Sequence, residues 1–329
     1  MDHDVGIAGF GFAVPPSIRL NDDPLFAEIR AAAGVETDFF SGAVRRRFLA
    51  DGEAIEDFMV QAGSEALEDA GVPARAVDRI YGYSFVSEYL TPNGLYKVHQ
   101  GLGLRRDAMV VPINAEYSNF IIGLVLAWEA IAAGHIDVAM VNCGASMTRY
   151  MDYGRGHAAP VGDGAGAVIV SRTERYRFVD HEVVTLSDMF DVMTMKVRPI
   201  ERHGARFLPV DSSGAPMPTY EIKEDGLRVV STVGVDVPPA LVQQLLSRNG
   251  VPSDRVTLVA HQASRPLMER WEELIAPAEY ADTFDEFGNV TIASIPITLA
   301  KIRSELRSDY IVLLSPGTGT SMSALLMQR

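Results

Sequence analysis

Residues 119–142 read NFIIGLVLAWEAIAAGHIDVAMVN, and the fold class follows from where polar residues are missing in them. From Asn119 to Ala133 the chain is apolar nearly all round, interrupted only at Trp128-Glu129. That pattern predicts a helix buried on every side, not one with a single wet face. After His135-Ile136-Asp137, the run Val138–Asn142 has no polar alternation, which predicts a strand covered on both faces. A buried helix beside a doubly buried strand calls for stacked α and β layers.

Outward from this stretch, strand-length apolar runs alternate with segments of helical period. Val5–Phe12 reads as a strand stopped by Pro15-Pro16, and Arg79–Val86 and Met109–Ile113 as two more. Glu53–Ala70 is amphipathic, with Ile55, Phe58, Met59, Ala62, Ala66 and Leu67 on one face, and Gly71-Val72-Pro73 ends it. Leu95–Leu102 reads as a helix, and Gly162–Val170 as a Gly-rich turn entering a strand. The second part of the chain repeats the order. A helix over Pro238–Asn249 precedes a strand over Val256–Ala260 that ends in His261. A mostly apolar helix over Ile292–Arg307 precedes a buried strand over Tyr310–Leu314, then Gly317-Thr318-Gly319. The repetition predicts a duplicated fold with halves 1–175 and 176–329 in one compact unit, joined near residues 172–182. Residues 196–226, rich in Arg, Pro, Gly and Asp, read as an irregular excursion, and excursions of that length tend to be functional.

The 329 residues suffice for a large buried core, and a charged content of 22% is that of an ordinary soluble protein. A single cysteine, Cys143, forbids an internal disulfide and points to a reducing cytoplasm; at the end of a buried strand it reads as a core residue. Met1-Asp2-His3-Asp4 shows no secretory pattern, and no apolar run is long enough to cross a bilayer. The net charge of −14 argues against general nucleic-acid binding, though a local basic patch would still serve an acidic protein partner. His99, His135, His181 and His203 lack the spacing of a metal site.

Three motifs then occur in order. Val161-Gly162-Asp163-Gly164-Ala165-Gly166-Ala167 is a Gly-rich turn, His261-Gln262-Ala263-Ser264 closes a buried strand, and Phe287-Gly288-Asn289-Val290-Thr291-Ile292-Ala293-Ser294-Ile295-Pro296 leads into a buried helix. His261 and Asn289 both fall at element ends, where a rigid scaffold displays polar atoms, and together they offer two donors for an oxygen that gains charge. The plain structural alternative is that they cap a strand and a helix. Across nearly the whole chain these motifs resemble the Gly-Asp-Gly-Ala-Gly-Ala, His-Gln-Ala-Asn and Gly-Asn-Thr-Ser-Ala-Ala-Ser-Ile-Pro of ketoacyl-synthase III and its thiolase-fold relatives. The resemblance implies a five-layered α-β-α-β-α thiolase-like fold, a homodimer, and acyl transfer from a thioester, with no metal or redox cofactor.

One segment departs from that family. Ile113-Asn114-Ala115-Glu116-Tyr117-Ser118-Asn119-Phe120 stands where relatives carry Ala-Cys-Ala-Gly-Phe, with the nucleophilic cysteine at the head of the buried helix. Aligning the phenylalanines puts Tyr117 at the cysteine position and Ser118 one place later. Three readings follow. Ser118 accepts the acyl group with His261 as general base, since a hydroxyl needs one; or His261 and Asn289 act on a thioester directly, by decarboxylation or transfer; or the chain is a non-catalytic partner of an active homologue. The first is carried forward as the expectation, because serine in place of cysteine resembles the starter-unit acyltransferases of bacterial polyketide pathways. Glu116 and Tyr117 are expected to support the site, His157 to line it, and Gly317 and Gly319 to bring a backbone amide close.

The donor is expected to be a coenzyme A or phosphopantetheine thioester on an acyl carrier protein, and the acceptor a carrier or a small molecule. Relatives that use coenzyme A hold its adenine with a tryptophan and an arginine in an N-terminal segment. The comparable stretch here, Ala33–Phe48, has Phe39, Phe40 and Arg45-Arg46-Arg47 but no tryptophan. Arg45, Arg46 and Arg47, with Lys196, Arg198, Arg202 and Arg206, are the candidate phosphate or carrier contacts.

Overall fold

The computed structural model describes residues 4–32, 40–89, 91–153, 156–196, 200–202, 205–207, 219–222, 224–317 and 321–329. Ten strands form one mixed sheet: β1 Val5–Ala13, β2 Arg79–Phe85, β3 Met109–Pro112, β4 Val138–Ala145, β5 Gly164–Arg172, β6 Arg177–Thr185, β7 Val256–Ala260, β8 Glu279–Tyr280, β9 Tyr310–Pro316 and β10 Ser321–Gln328. Six helices matter for the site: α1 Ile55–Ala70, α2 Leu95–Gly101, α3 Asn119–Ala132, α4 Glu224–Asn249, α5 Arg265–Ile275 and α6 Ser294–Ile302.

The strand order is β8-β7-β9-β10-β6-β1-β5-β4-β2-β3. From the centre outward one side runs 1-5-4-2-3 and the other 6-10-9-7-8, so the second is the first with five added to each strand. The hydrogen-bond sense repeats as well. β2 is parallel to β3 and β4, and β7 to β8 and β9. The β4–β5 and β5–β1 pairs are antiparallel, as are β9–β10 and β10–β6. This is the duplicated architecture expected from the alternating pattern.

β1 and β6 meet in a single register pair, Gly6 with Arg177, and then separate. The amides of β1 that lose a sheet partner donate to side chains of α1 instead, Phe10 to Asp69 at 3.0 Å and Phe12 to Glu65 at 3.2 Å. Buried backbone donors must find acceptors, and here two carboxylates supply them. α1 comes this close because β1 carries glycine on that face. A Cβ at Gly11 would lie 2.1 Å from the Ala62 carbonyl oxygen and one at Gly9 2.5 Å from that of Ala66. Arg303 reaches Glu65 at 3.6 Å and Asp69 at 3.9 Å from beyond α6.

The parting of the strands lets the two half-sheets enclose a middle layer. A central core joins α3 and α6 to strands of both halves through Phe120, Leu124, Trp128, Val141, Phe178, Ile295, Leu299 and Leu313. A second core lies outside it under α1 and α2, and a third under α4 and α5. The layers therefore run helix, sheet, helix, sheet, helix, a thiolase-like fold. In α3 only Leu126 and Glu129 are exposed, as the all-round apolar pattern requires.

Some elements differ from the sequence reading. The helix expected over 292–307 is a 3-10 turn, Thr291–Ala293, followed by the shorter α6, because residues from Arg303 onward turn toward β9. α4 begins at Glu224 and carries Pro238 and Pro239 inside it. β6, β10 and α5 went unassigned; β6 alternates charged with apolar residues on a half-exposed surface and has no long apolar run. Within the excursion, Met193–Lys196 pairs with Thr219–Ile222 and Ile200–Arg202 with Ala205–Phe207. Arg198 lies outside the described residues.

Candidate active site

The head of α3 is built by a tight turn. β3 ends where the Ile113 amide donates to the Gly82 carbonyl. Asn119 spans the turn, its Nδ2 donating to the Ile113 carbonyl at 2.8 Å and its Oδ1 accepting from the Ala115 amide at 3.3 Å. Glu116, between them, sits in the left-handed region with φ 55, uncommon for a residue with a Cβ. Its carboxylate side is exposed. The turn delivers Tyr117 to the helix head, half-buried, with its ring stacked on the His261 imidazole at 4.9 Å between centroids and 14° between planes.

Ser118 is fully buried and begins α3, yet its hydroxyl makes no capping bond. Its Oγ donates to the Ser315 carbonyl at 3.4 Å, and the Ser315 hydroxyl donates to the Tyr117 carbonyl at 2.5 Å. The structure thus ties the helix head to the end of β9 and sets Tyr117, not Ser118, against the imidazole.

His261 follows β7 directly, held by its amide to the Leu314 carbonyl at 2.8 Å, and is 2% exposed. Burial pushes its pKa down to about 4, partly offset by a hydrogen bond to the Thr291 backbone. The imidazole is neutral at pH 7 and competent to take a proton. Thr291 supplies that contact with φ 47, strained for a β-branched residue, and its hydroxyl is buried without a partner. The Asn289 Oδ1 accepts from the Thr291 amide at 2.9 Å and its Nδ2 donates to the Ala263 carbonyl at 3.2 Å. A carboxamide has two N–H donors, so one is left for a carbonyl oxygen.

The motifs of the two halves are clamped by backbone. The Asn289 amide donates to the Pro160 carbonyl at 2.7 Å, and the Gly162 amide donates back to the Asn289 carbonyl at 3.0 Å. Glycine is required on both sides: a Cβ at Gly288 would meet the Pro160 oxygen at 2.1 Å, and one at Gly162 the Phe287 oxygen at 2.4 Å. Gly166 admits Pro296 of α6 in the same way, 2.7 Å from where its Cβ would be. Asp163 anchors the turn from below, accepting from the amides of Thr148 and Leu49 and from the Thr148 hydroxyl at 2.5 Å. Its burial raises its pKa, opposed by those donors.

The remaining candidates divide. Gly317 lies beside Glu116, its would-be Cβ 3.3 Å from the Glu116 Cβ, and its amide donates to the Ser321 carbonyl at 2.5 Å; Gly319 lies outside the described residues. His157 is half-buried in a short 3-10 turn before the Gly-Asp-Gly turn. Arg45, Arg46 and Arg47 do not present one face, because they form a strand paired with Ile18–Leu20. Arg46 is 1% exposed, its guanidinium bound to the Ala159 carbonyl and the Asn21 side chain between Phe26 and Phe40, and burial lowers its pKa to about 10. Arg47 reaches the carbonyls of Pro15 and Pro16, and Arg45 is exposed. Cys143 is buried in β4 with its thiol pushed up to about 12, far from a reactive thiolate. Among the described residues no cluster of His, Cys, Asp or Glu could hold a metal, and no helix is long and apolar enough to cross a membrane.

Sequence reasoning missed Ser315 and the Tyr117–His261 stack. The alignment on Phe120, which places Tyr117 at the position of the thiol, is the sequence signal for that stack.

Two family models match. That described as 3-oxoacyl-[acyl-carrier-protein] synthase III covers residues 112–187, and its C-terminal counterpart covers residues 246–329. The chain is 26% identical to the β-ketoacyl-[acyl-carrier-protein] synthase III of Bradyrhizobium diazoefficiens over 98% of both chains, and 25% identical to that of Lactobacillus helveticus over 87% of both. In fold it is similar to 3-oxoacyl-(acyl carrier protein) synthase III of Pseudomonas aeruginosa, with a TM-score of 0.82, 23% identity and coverage of 99% and 98%. It is also similar to OleA of Xanthomonas campestris, with a TM-score of 0.80, 20% identity and coverage of 99% and 97%.

Proposed function

Because the chain belongs to the 3-oxoacyl-[acyl-carrier-protein] synthase III family, we propose that it transfers an acyl group directly from a coenzyme A or carrier-protein thioester to an acceptor, without an acyl-enzyme. The observation that carries this reading is the exchange of roles at the helix head: Tyr117 lies on the imidazole, and the Ser118 hydroxyl is buried against the Ser315 carbonyl. In the proposed step neutral His261 takes the proton of an acceptor N–H or O–H as that atom attacks the thioester carbon. The carbonyl oxygen, gaining charge, is held by the free N–H of Asn289. The carbon–sulfur bond then breaks, and the leaving thiolate takes the proton from the imidazolium. In the same proposal the enzyme works as a cytoplasmic homodimer in secondary, polyketide-type metabolism, as the serine-bearing helix head implies by its resemblance to starter-unit acyltransferases.

Intact-protein mass spectrometry after incubation with acetyl-CoA, malonyl-CoA or an acyl carrier protein thioester is expected to show no adduct on the wild-type chain. Ser118→Ala is expected to keep transfer within a few-fold of wild type. An adduct that disappears in Ser118→Ala would overturn direct transfer in favour of covalent catalysis at that serine.

A further inference from the structure

The end of β9 serves the site from two consecutive residues. Along that strand Ile311 and Leu313 face the central core while Val312 and Leu314 face the third, so Ser315 continues the row that points inward. It places a hydroxyl where that row is otherwise apolar, and it is fully buried. Burying a hydroxyl is costly unless it is bonded. Ser315 donates to the Tyr117 carbonyl at 2.5 Å, 198 positions away in the chain. Its own carbonyl accepts from the Ser118 hydroxyl at 3.4 Å.

The residue before it holds the other side of the site. The Leu314 carbonyl takes the His261 amide at 2.8 Å. Two residues beyond Ser315, Gly317 stands against Glu116, its would-be Cβ 3.3 Å from the Glu116 Cβ. The imidazole and the turn that carries Tyr117 are therefore both referred to one strand end, and the stack of 4.9 Å and 14° lies between them. Without the Ser315 hydroxyl the Tyr117 carbonyl loses its bond to β9, and a buried bond of this kind is stronger than one in water.

We propose that Ser315 is a positioning residue of the site, one that holds the turn before α3 in register with His261 so that the Tyr117 ring meets the face of the imidazole. The stacked ring in turn fixes the plane of the imidazole, and with it the direction in which a ring nitrogen takes a proton. The consequence for the reaction rests on the reading that His261 takes the acceptor's proton. Ser315 itself moves no proton and acts only through where it puts the two rings.

The test reads the imidazole by NMR in the full-length protein made with isotope-labelled histidine. The ring signal that disappears in His261→Ala belongs to His261, and the stacked phenol displaces it from the position it takes in Tyr117→Ala. Ser315→Ala is expected to move the wild-type signal toward that position. It is also expected to lower kcat for transfer from acetyl-CoA about tenfold, with KM changed less than about twofold. In the His261→Ala background the same substitution is expected to lower transfer by no more than about twofold, because it acts through the imidazole. Ser323→Ala is the control. Ser323 lies opposite Ser315 in the β9–β10 pair and is equally buried, its hydroxyl has no partner among the described residues, and its removal is expected to leave the signal in place. Ser315→Cys, similar in size but a weaker donor, takes over if the alanine variant fails to fold, and is expected to move the signal in the same direction. An unmoved signal in the Ser315 variants, an equal movement in Ser323→Ala, or an equal loss of kcat with and without His261 overturns the proposal. So does a moved signal beside an unchanged kcat in an enzyme that transfers acetyl groups. The signal needs no turnover, so its movement in a chain that consumes no acetyl-CoA leaves Ser315 as the residue that sets the stack and sinks the transfer reading alone.

Discussion

His261→Ala is expected to lower acyl transfer by about 10²- to 10⁴-fold, the range associated with loss of a general acid–base group. The Asn289 carboxamide offers only amide hydrogens and cannot take a proton in place of the imidazole. The wild-type pH profile should carry the same signature. With its pKa pushed down to about 4, His261 stays predominantly neutral from pH 8 to pH 5, so kcat/KM is expected to stay nearly level across that span where an ordinary histidine would lose activity near 6.5. Its effect on stability has a defined sign. A histidine whose folded pKa is depressed leaves the unfolded chain binding the extra proton, so stability is full above about 6.5 and falls as pH drops toward 4. The loss over that window is on the order of 3 kcal/mol by linkage. It should be visible as a lower denaturation midpoint at pH 4.5 than at pH 7, and a smaller difference in His261→Ala. A kcat/KM that breaks near pH 6.5 in wild type would contradict the buried, neutral imidazole.

Gly288→Ala is the second large effect. Gly288 has φ 67 and ψ −152, a combination open almost only to glycine, and its added Cβ would meet the Pro160 oxygen at 2.1 Å. Strain and overpacking together are expected to cost about 3 kcal/mol or more in chemical denaturation. The clash also pushes on the carbonyl that the Asn289 amide binds, so transfer should fall at temperatures where the variant is still folded. Gly250→Ala is the control: φ is 64 but the space beyond is open, so about 1 kcal/mol and unchanged transfer are expected. Gly288→Ala with full activity would mean that the clamp does not position Asn289.

The layered fold was legible because its signal is redundant. α3 is apolar nearly all round, β4 shows no polar alternation, and the same order of strand, helix and Gly-rich turn returns after residue 176. β6 and α5 were less legible, for opposite reasons. β6 gets its partners from β10 and its stability from the sheet, so it tolerates charged residues. α5 has a narrow apolar stripe of Met268, Trp271 and Ile275 among Glu and Arg. At the candidate site, motif and position singled out His261 and Asn289, and the glycines beside them stand where a Cβ would meet backbone oxygen. The partner of each polar atom at the helix head was not readable. Whether Ser118 or Tyr117 meets the imidazole depends on one φ angle at Glu116 and one hydroxyl at Ser315, nearly two hundred residues apart in the chain.

The repeated half-sheets bring two equivalent helix tips, those of α3 and α6, to the same spot in the middle layer. Here there is a division of labour: one tip offers a tyrosine and a buried serine, while the other comes with a carboxamide and the imidazole beside it. Neither copy can stand in for the other, so damage to one tip has no internal spare, although the scaffold around it exists twice.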